Sequence, residues 1–212
     1  MNARKLTLLL IGCLVSLAAS AQFSYGPQLG ANFSELKFKQ KIVDTSMQVG
    51  PSAAVQCEFI FTDFGLGIDF GLGYSMTGAK VNLGQKPVWS LPQQGGFGNE
   101  TTLAHNLWLP IHIRWKWTKM QGAEEIIAPI VYGGPEFNIQ LANSRNRNNG
   151  IDAYRFSGGD VQLACGAGVE LFRHWQITAG YSWGMTYMVK TRLLDDYSAR
   201  SRGWNVRLAY MF

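Results

Sequence analysis

Seven charged residues have the right type and setting for chemistry: Glu58, Asp69, Arg114, Lys116, Glu136, Glu170 and Arg207. Each stands at one parity of a segment whose other parity is apolar. Opposite charges gathered on one narrow face should pair, because an unpaired buried charge is costly. As a catalytic set they lack partners. The three histidines, His105, His112 and His174, do not stand at metal-ligand spacing. There is no GxSxG elbow and no phosphate loop. Gly65-Leu66-Gly67 is followed by Phe70 where a dinucleotide fingerprint needs glycine. Ser182 and His112 share a parity, with nothing to tie them together. Cys57 and Cys165 have no CxxC partner. The expectation is a protein without catalytic residues, cofactor or metal, whose buried charges form an ion-pair plug.

The element that must position these charges is a strand, repeated. From Phe64 to Met76, every second residue is apolar: Phe64, Leu66, Ile68, Phe70, Leu72, Tyr74 and Met76. The intervening residues are Gly65, Gly67, Asp69, Gly71, Gly73, Ser75 and Thr77. A helix would place neither set on a consistent face, whereas a strand separates them. Seven more segments alternate similarly, at 23–34, 49–61, 103–117, about 127–141, 161–171, 175–183 and 204–212. A soluble sandwich or lipocalin-like barrel also alternates, with its apolar face inside. Here the other face is glycine and polar groups, which suit a narrow lumen better than a packed core.

The connections alternate in length. Those at 62–63 and 172–174 are short, 118–125 is moderate, and 35–46, 78–101, 142–159 and 186–202 are long and polar. Outer-membrane barrels have short periplasmic turns and longer outer loops. Eight strands with a periplasmic amino terminus put every short turn on one side. Aromatics gather at the proposed strand ends, as interfacial rings do. The fold expected is all-β: an eight-stranded antiparallel up-and-down transmembrane β-barrel. In such a ring Cys57 and Cys165 lie four strands apart, beyond disulfide reach. Leu66 and Ile68 are placed near mid-membrane.

The amino terminus fits export. Arg4 and Lys5 precede an apolar run from Leu6 to Leu17, and Ala19-Ser20-Ala21 gives a small-x-small cleavage site. Residues 1–21 are read as a signal peptide and 22–212 as the barrel domain. A lipoprotein signal ending at Cys13 is the rival reading. Without the leader cations the net charge falls from +5 to +3, and no basic run interleaved with aromatics points to nucleic acid. Charged residues make up only 16%, against about 25% in soluble proteins. Beyond the leader no apolar run is long enough for a membrane helix, which leaves a closed barrel as the way to cross a bilayer.

The stretch NLWLPIHIRWKW (106–117) resembles the fourth-strand pattern of the PorT-like outer-membrane barrel family of Bacteroidetes. IVYGGPEF (130–137), DVQLACGAGVEL (160–171) and ITAGYSWGMT (177–186) resemble the family too. VRLAYMF (206–212) resembles the carboxy-terminal assembly signal of outer-membrane barrels, carried by Tyr210 and Phe212. The resemblance spans the mature chain and implies an outer-membrane protein; it does not imply the founding member's secretion role. The expected partners are outer-membrane lipid and lipopolysaccharide, the outer-membrane assembly machinery, and a secretion or envelope protein. The basic outer segments, with Arg145 and Arg147 foremost, are candidates for lipopolysaccharide phosphates. The function expected is a structural or interaction role in the cell envelope, linked in one version to protein secretion. The alternative is a narrow pore for ions or small solutes.

Overall fold

A strand whose alternate faces meet hydrocarbon and a crowded polar interior must pair on both edges, because lipid offers no partner to backbone N–H and C=O groups. The computed structural model meets this requirement by closure. It describes residues 21–39, 44–61, 64–84, 98–119, 122–144, 147–148, 151–152, 154–191 and 198–212. The proposed signal peptide lies outside these residues except for Ala21, which opens the first strand.

Eight long strands form the wall: β1 Ala21–Phe38, β2 Asp44–Phe61, β3 Leu66–Gly84, β4 Gly98–Lys116, β5 Ile127–Asn143, β6 Gly159–Leu171, β7 Trp175–Gly184 and β8 Ala199–Tyr210. Each pairs antiparallel with the next, and β8 closes on β1 with Leu29 opposite Leu208 and Phe33 opposite Trp204. The Phe212 N–H adds a bond to the Tyr25 carbonyl at 2.8 Å. Among the described residues no helix is long and apolar enough to cross a membrane. The turn before β3 uses Gly65 at φ 66°, and the β6–β7 turn holds Phe172 and Arg173 at φ 53° and 63°.

The facing follows the sequence pattern. Leu66, Ile68, Phe70 and Leu72 are exposed on the outside, while Asp69 between them is 2% exposed. Leu66 opens β3 beside the turn, so it lies at the periplasmic edge of the apolar belt rather than near its middle. The centre of that belt falls at Phe70 and Leu72.

The strands run further outward than the polar connections suggested. β1 continues to Phe38, β2 starts at Asp44, β3 continues to Gly84, and β4 and β8 start at Gly98 and Ala199. The reason is a second core. Leu36, Phe38, Ala79, Val81, Ala104, Met188, Val189 and Ala199 face inward there and pack together, with Phe156 against them. A strand of 18 residues is about 60 Å long, while the lipid-facing band of such barrels is about 25 Å tall. Even with strand tilt, the wall stands well clear of the outer leaflet. Two short strands, Tyr154–Phe156 and Val189–Thr191, complete it beside β8.

Cys57 and Cys165 lie on β2 and β6, four strands apart, and both are free thiols. Mass spectrometry of the unreduced protein should find Cys57 and Cys165 as thiols with no link between them. A Cys57–Cys165 bond would contradict the strand order.

Candidate functional site: the charged lumen

The inward parity of β2, β3, β4, β5, β6 and β8 delivers all seven charged residues to one interior. Glu58 and Asp69 face each other across β2–β3, and Asp69 faces His112 across β3–β4. Lys116, two rungs below Arg114 on β4, reaches the mouth. The side chains then form one chain of contacts. Lys116 Nζ donates to Glu58 Oε1 at 2.5 Å and to Glu170 Oε2 at 2.6 Å. Arg114 donates from Nη1 to Glu58 Oε2 at 3.0 Å and from Nε to Asp69 Oδ2 at 2.8 Å. Arg207 donates from Nη2 to Glu136 Oε1 at 2.8 Å, with its guanidinium 4.3 Å over the Trp108 ring.

His112 joins the two halves. Its Nδ1 lies 3.0 Å from Asp69 Oδ1, and its Nε2 lies 3.3 Å from Glu136 Oε1, too poorly aligned for a good hydrogen bond. Carboxylate oxygens on both sides suit a ring with hydrogen on both nitrogens. Within these contacts Glu58, Asp69, Glu136 and Glu170 face three fixed cations, Arg114, Lys116 and Arg207. A fifth buried carboxylate, Asp160, accepts from Gln162 Nε2 at 2.7 Å.

Sequence reasoning placed His112 in the lumen but outside the charged set. Counting back from the 62–65 and 118–125 turns puts it opposite Asp69, which was the available signal. Gln176 was missed as well. Its amide accepts from Arg114 Nη1 at 2.6 Å and donates to Glu58 and Glu170. The network runs from the periplasmic mouth toward mid-barrel, where Glu136 and Arg207 pair.

Packing leaves little open space around these groups. Tyr132 lies across the lumen, and its hydroxyl donates to Asn205 Oδ1 at 3.3 Å. It fits because Gly166 and Gly180 face it: a Cβ on either would come within 2.5 and 2.3 Å of the hydroxyl oxygen. Two voids beside these groups are about 20 and 10 Å³. A larger cavity of about 280 Å³ opens at the periplasmic mouth, floored by Lys116, Glu58 and Glu170.

Ser182 Oγ approaches Glu136 Oε2 at 3.4 Å and accepts from Asn205, so it meets a carboxylate rather than His112. Among the described residues no His, Cys, Asp and Glu group could hold a metal ion. His105 Nδ1 meets the Tyr74 hydroxyl on the outer wall, and His174 Nδ1 meets the Met211 carbonyl in a turn.

The other sequence candidates lie elsewhere. Tyr210 and Phe212 pack edge to face at the end of β8, with centroids 4.9 Å apart. Arg145 lies outside the described residues. Arg147 belongs to the two-residue strand Arg147–Asn148, for which only the backbone is described.

Known proteins agree with this architecture. The outer membrane protein beta-barrel domain family matches residues 18–189. The crystal structure of the outer membrane protein OprG from Pseudomonas aeruginosa is similar with a TM-score of 0.57 at 10% identity, over 91% of this chain and 96% of that one. Neisserial surface protein A gives a TM-score of 0.47 at 13% identity, over 89% and 97%. At 10% identity the likeness to OprG concerns the fold alone. No curated protein matches the sequence. A closed eight-stranded wall, a lipid-facing apolar belt and a family match over most of its length converge: the chain belongs to the outer membrane protein beta-barrel domain family and resides in the bacterial outer membrane.

Proposed function

We propose that this barrel is a sealed scaffold with a structural or interaction role in the cell envelope. One observation carries the reading: the lumen is filled at two levels. The charged network occupies the periplasmic half, and the apolar cluster around Leu36, Val81 and Val189 fills the outer end. A small barrel has an interior just wide enough for its own side chains, and the voids between these layers are too small for a hydrated ion's path. The wall above the membrane is the part left for a partner. A secretion or envelope protein is one such partner, sought by extraction in mild detergent and identification of what co-purifies.

The competing function is a narrow pore. Planar-bilayer recording separates the two. The purified barrel should show no steady unitary conductance in 1 M KCl. Stable, reproducible single-channel steps would overturn the sealed-scaffold reading. Removing outer cluster side chains, as in Leu36→Ala with Val81→Ala, should leave the ionic layer in place and the current still absent.

A further inference from the structure

The outer wall carries a row of cations that the sealed lumen does not use. Lys37 on β1 stands directly opposite Arg200 on β8. Val189 pairs with Ala199, which brings the Val189–Thr191 strand against β8, and Lys190 then stands directly opposite Arg155. The inward neighbours Leu36, Ala199, Val189 and Phe156 pack in the apolar cluster, so these four alternate residues face outward, and all four are exposed. Like charges directly opposite on neighbouring strands repel. Two rungs lower the wall solves that problem internally: Arg202 Nε meets Glu35 Oε1 at 2.6 Å. Among the described residues, none of Lys37, Arg155, Lys190 and Arg200 meets a carboxylate. The Arg200 guanidinium is held 4.7 Å over the Tyr187 ring.

Height identifies the kind of anion. Phe33 and Trp204 pair on the lipid-facing wall, and Lys37 and Arg200 stand four residues beyond them. That is about 13 Å along the strand, the level of headgroups rather than of acyl chains. A second feature adjoins the row. An open groove of about 650 Å³ adjoins Lys190, its walls mostly apolar through Phe137, Ile139, Val161 and Met185, with Asp160 and Asn138 also lining it. A phosphate-sized anion alone has no use for an apolar groove, and a plain hydrocarbon has none for four cations. Both together fit an amphiphile with a phosphate and an acyl chain.

We propose that the β8–β1 side of the wall binds a phosphorylated glycolipid of the outer leaflet, its phosphates on Lys37, Arg200, Lys190 and Arg155 and one acyl chain in the groove beside Lys190. Charge-assisted bonds from Lys and Arg are the strong contacts for phosphate oxygens, and Arg200, stacked on Tyr187, is already oriented. The proposal places the lipid contact on the wall rather than on the 145–147 segment.

The test uses the full barrel in detergent micelles and purified lipid A as probe, read by native mass spectrometry. Wild-type protein should retain lipid A. The fourfold variant Lys37→Gln, Arg155→Gln, Lys190→Gln, Arg200→Gln should bind it at least about tenfold more weakly, with unchanged heat-modifiable migration. Lipid A stripped of its phosphates should bind wild type as weakly as the fourfold variant binds intact lipid A, a comparison that needs no variant to fold. Ile139→Trp, which fills the groove, should weaken lipid A binding while the cations remain. Equal retention of intact and dephosphorylated lipid A overturns the phosphate row. Inorganic phosphate binding as tightly as lipid A overturns the groove.

Discussion

Arg114→Met should destabilise the barrel by about 3–5 kcal/mol, the scale for removing one partner of a buried ion pair. Arg114 is 2% exposed and serves Asp69, Glu58 and Gln176 at once. Its loss strands Asp69 with His112 and leaves Glu58 with Lys116 as its one cation, beside the Gln176 amide. The pairs are not favourable in themselves, since desolvating both charges offsets most of their attraction. The cost comes from the orphaned carboxylates. Neutralising them should therefore restore stability: Arg114→Met combined with Asp69→Asn and Glu58→Gln should recover most of the loss. Urea unfolding in lipid vesicles, followed by tryptophan fluorescence, gives both numbers. A single-variant loss below about 1 kcal/mol would mean that the guanidinium is solvated, and the lumen wet.

The second large effect lies on the other face. Leu72→Arg should cost about 2–4 kcal/mol, because it forces a guanidinium into the middle of the hydrocarbon. Leu72 is 54% exposed on the outside, and the lipid-facing run from Leu66 to Met76 centres near it. The same substitution at Leu66 should cost about 0–1 kcal/mol, since its head reaches the periplasmic interface. Gly71→Arg fails for a different reason. A Cβ there already meets the Val55 carbonyl oxygen at 3.0 Å and Pro110 at 3.3 Å, so a long side chain has no room. The same vesicle assay reads all three. A Leu72→Arg variant as stable as Leu66→Arg would remove the depth assignment.

The wall was legible in the sequence because its signal is local. From Phe64 to Thr77, hydrocarbon on one side and a narrow interior on the other select alternate residues without any knowledge of neighbouring strands. The strand count followed from turn spacing, since 62–63 and 172–174 are too short to be anything but hairpins. The lumen partners were less legible. That Arg114 reaches both Asp69 and Glu58 depends on cross-strand register and side-chain reach, which alternation does not encode. His112 shows the limit: its parity was read, its place opposite Asp69 was not. The outer apolar layer was hidden altogether. Leu36, Phe38, Val81 and Val189 are interleaved with Lys37, Lys39, Lys80 and Lys190, so these segments read as polar connections. There the outward parity meets water and headgroups instead of hydrocarbon, and the apolar parity points inward. The sense of the alternation reverses along a continuous strand, and only the closed wall reveals it.

Tryptophan quenching by lipids with brominated acyl chains probes the division between the two faces most directly. Two single-tryptophan proteins suffice, one keeping Trp204 on the outer wall and one keeping Trp108 against Arg207 in the lumen, with the other tryptophans changed to Phe. In vesicles, bromine near the interface should quench Trp204 strongly and leave Trp108 nearly unchanged. Equal quenching of both, or protection of Trp204 in a protein that stays monomeric in water without detergent, would contradict the account.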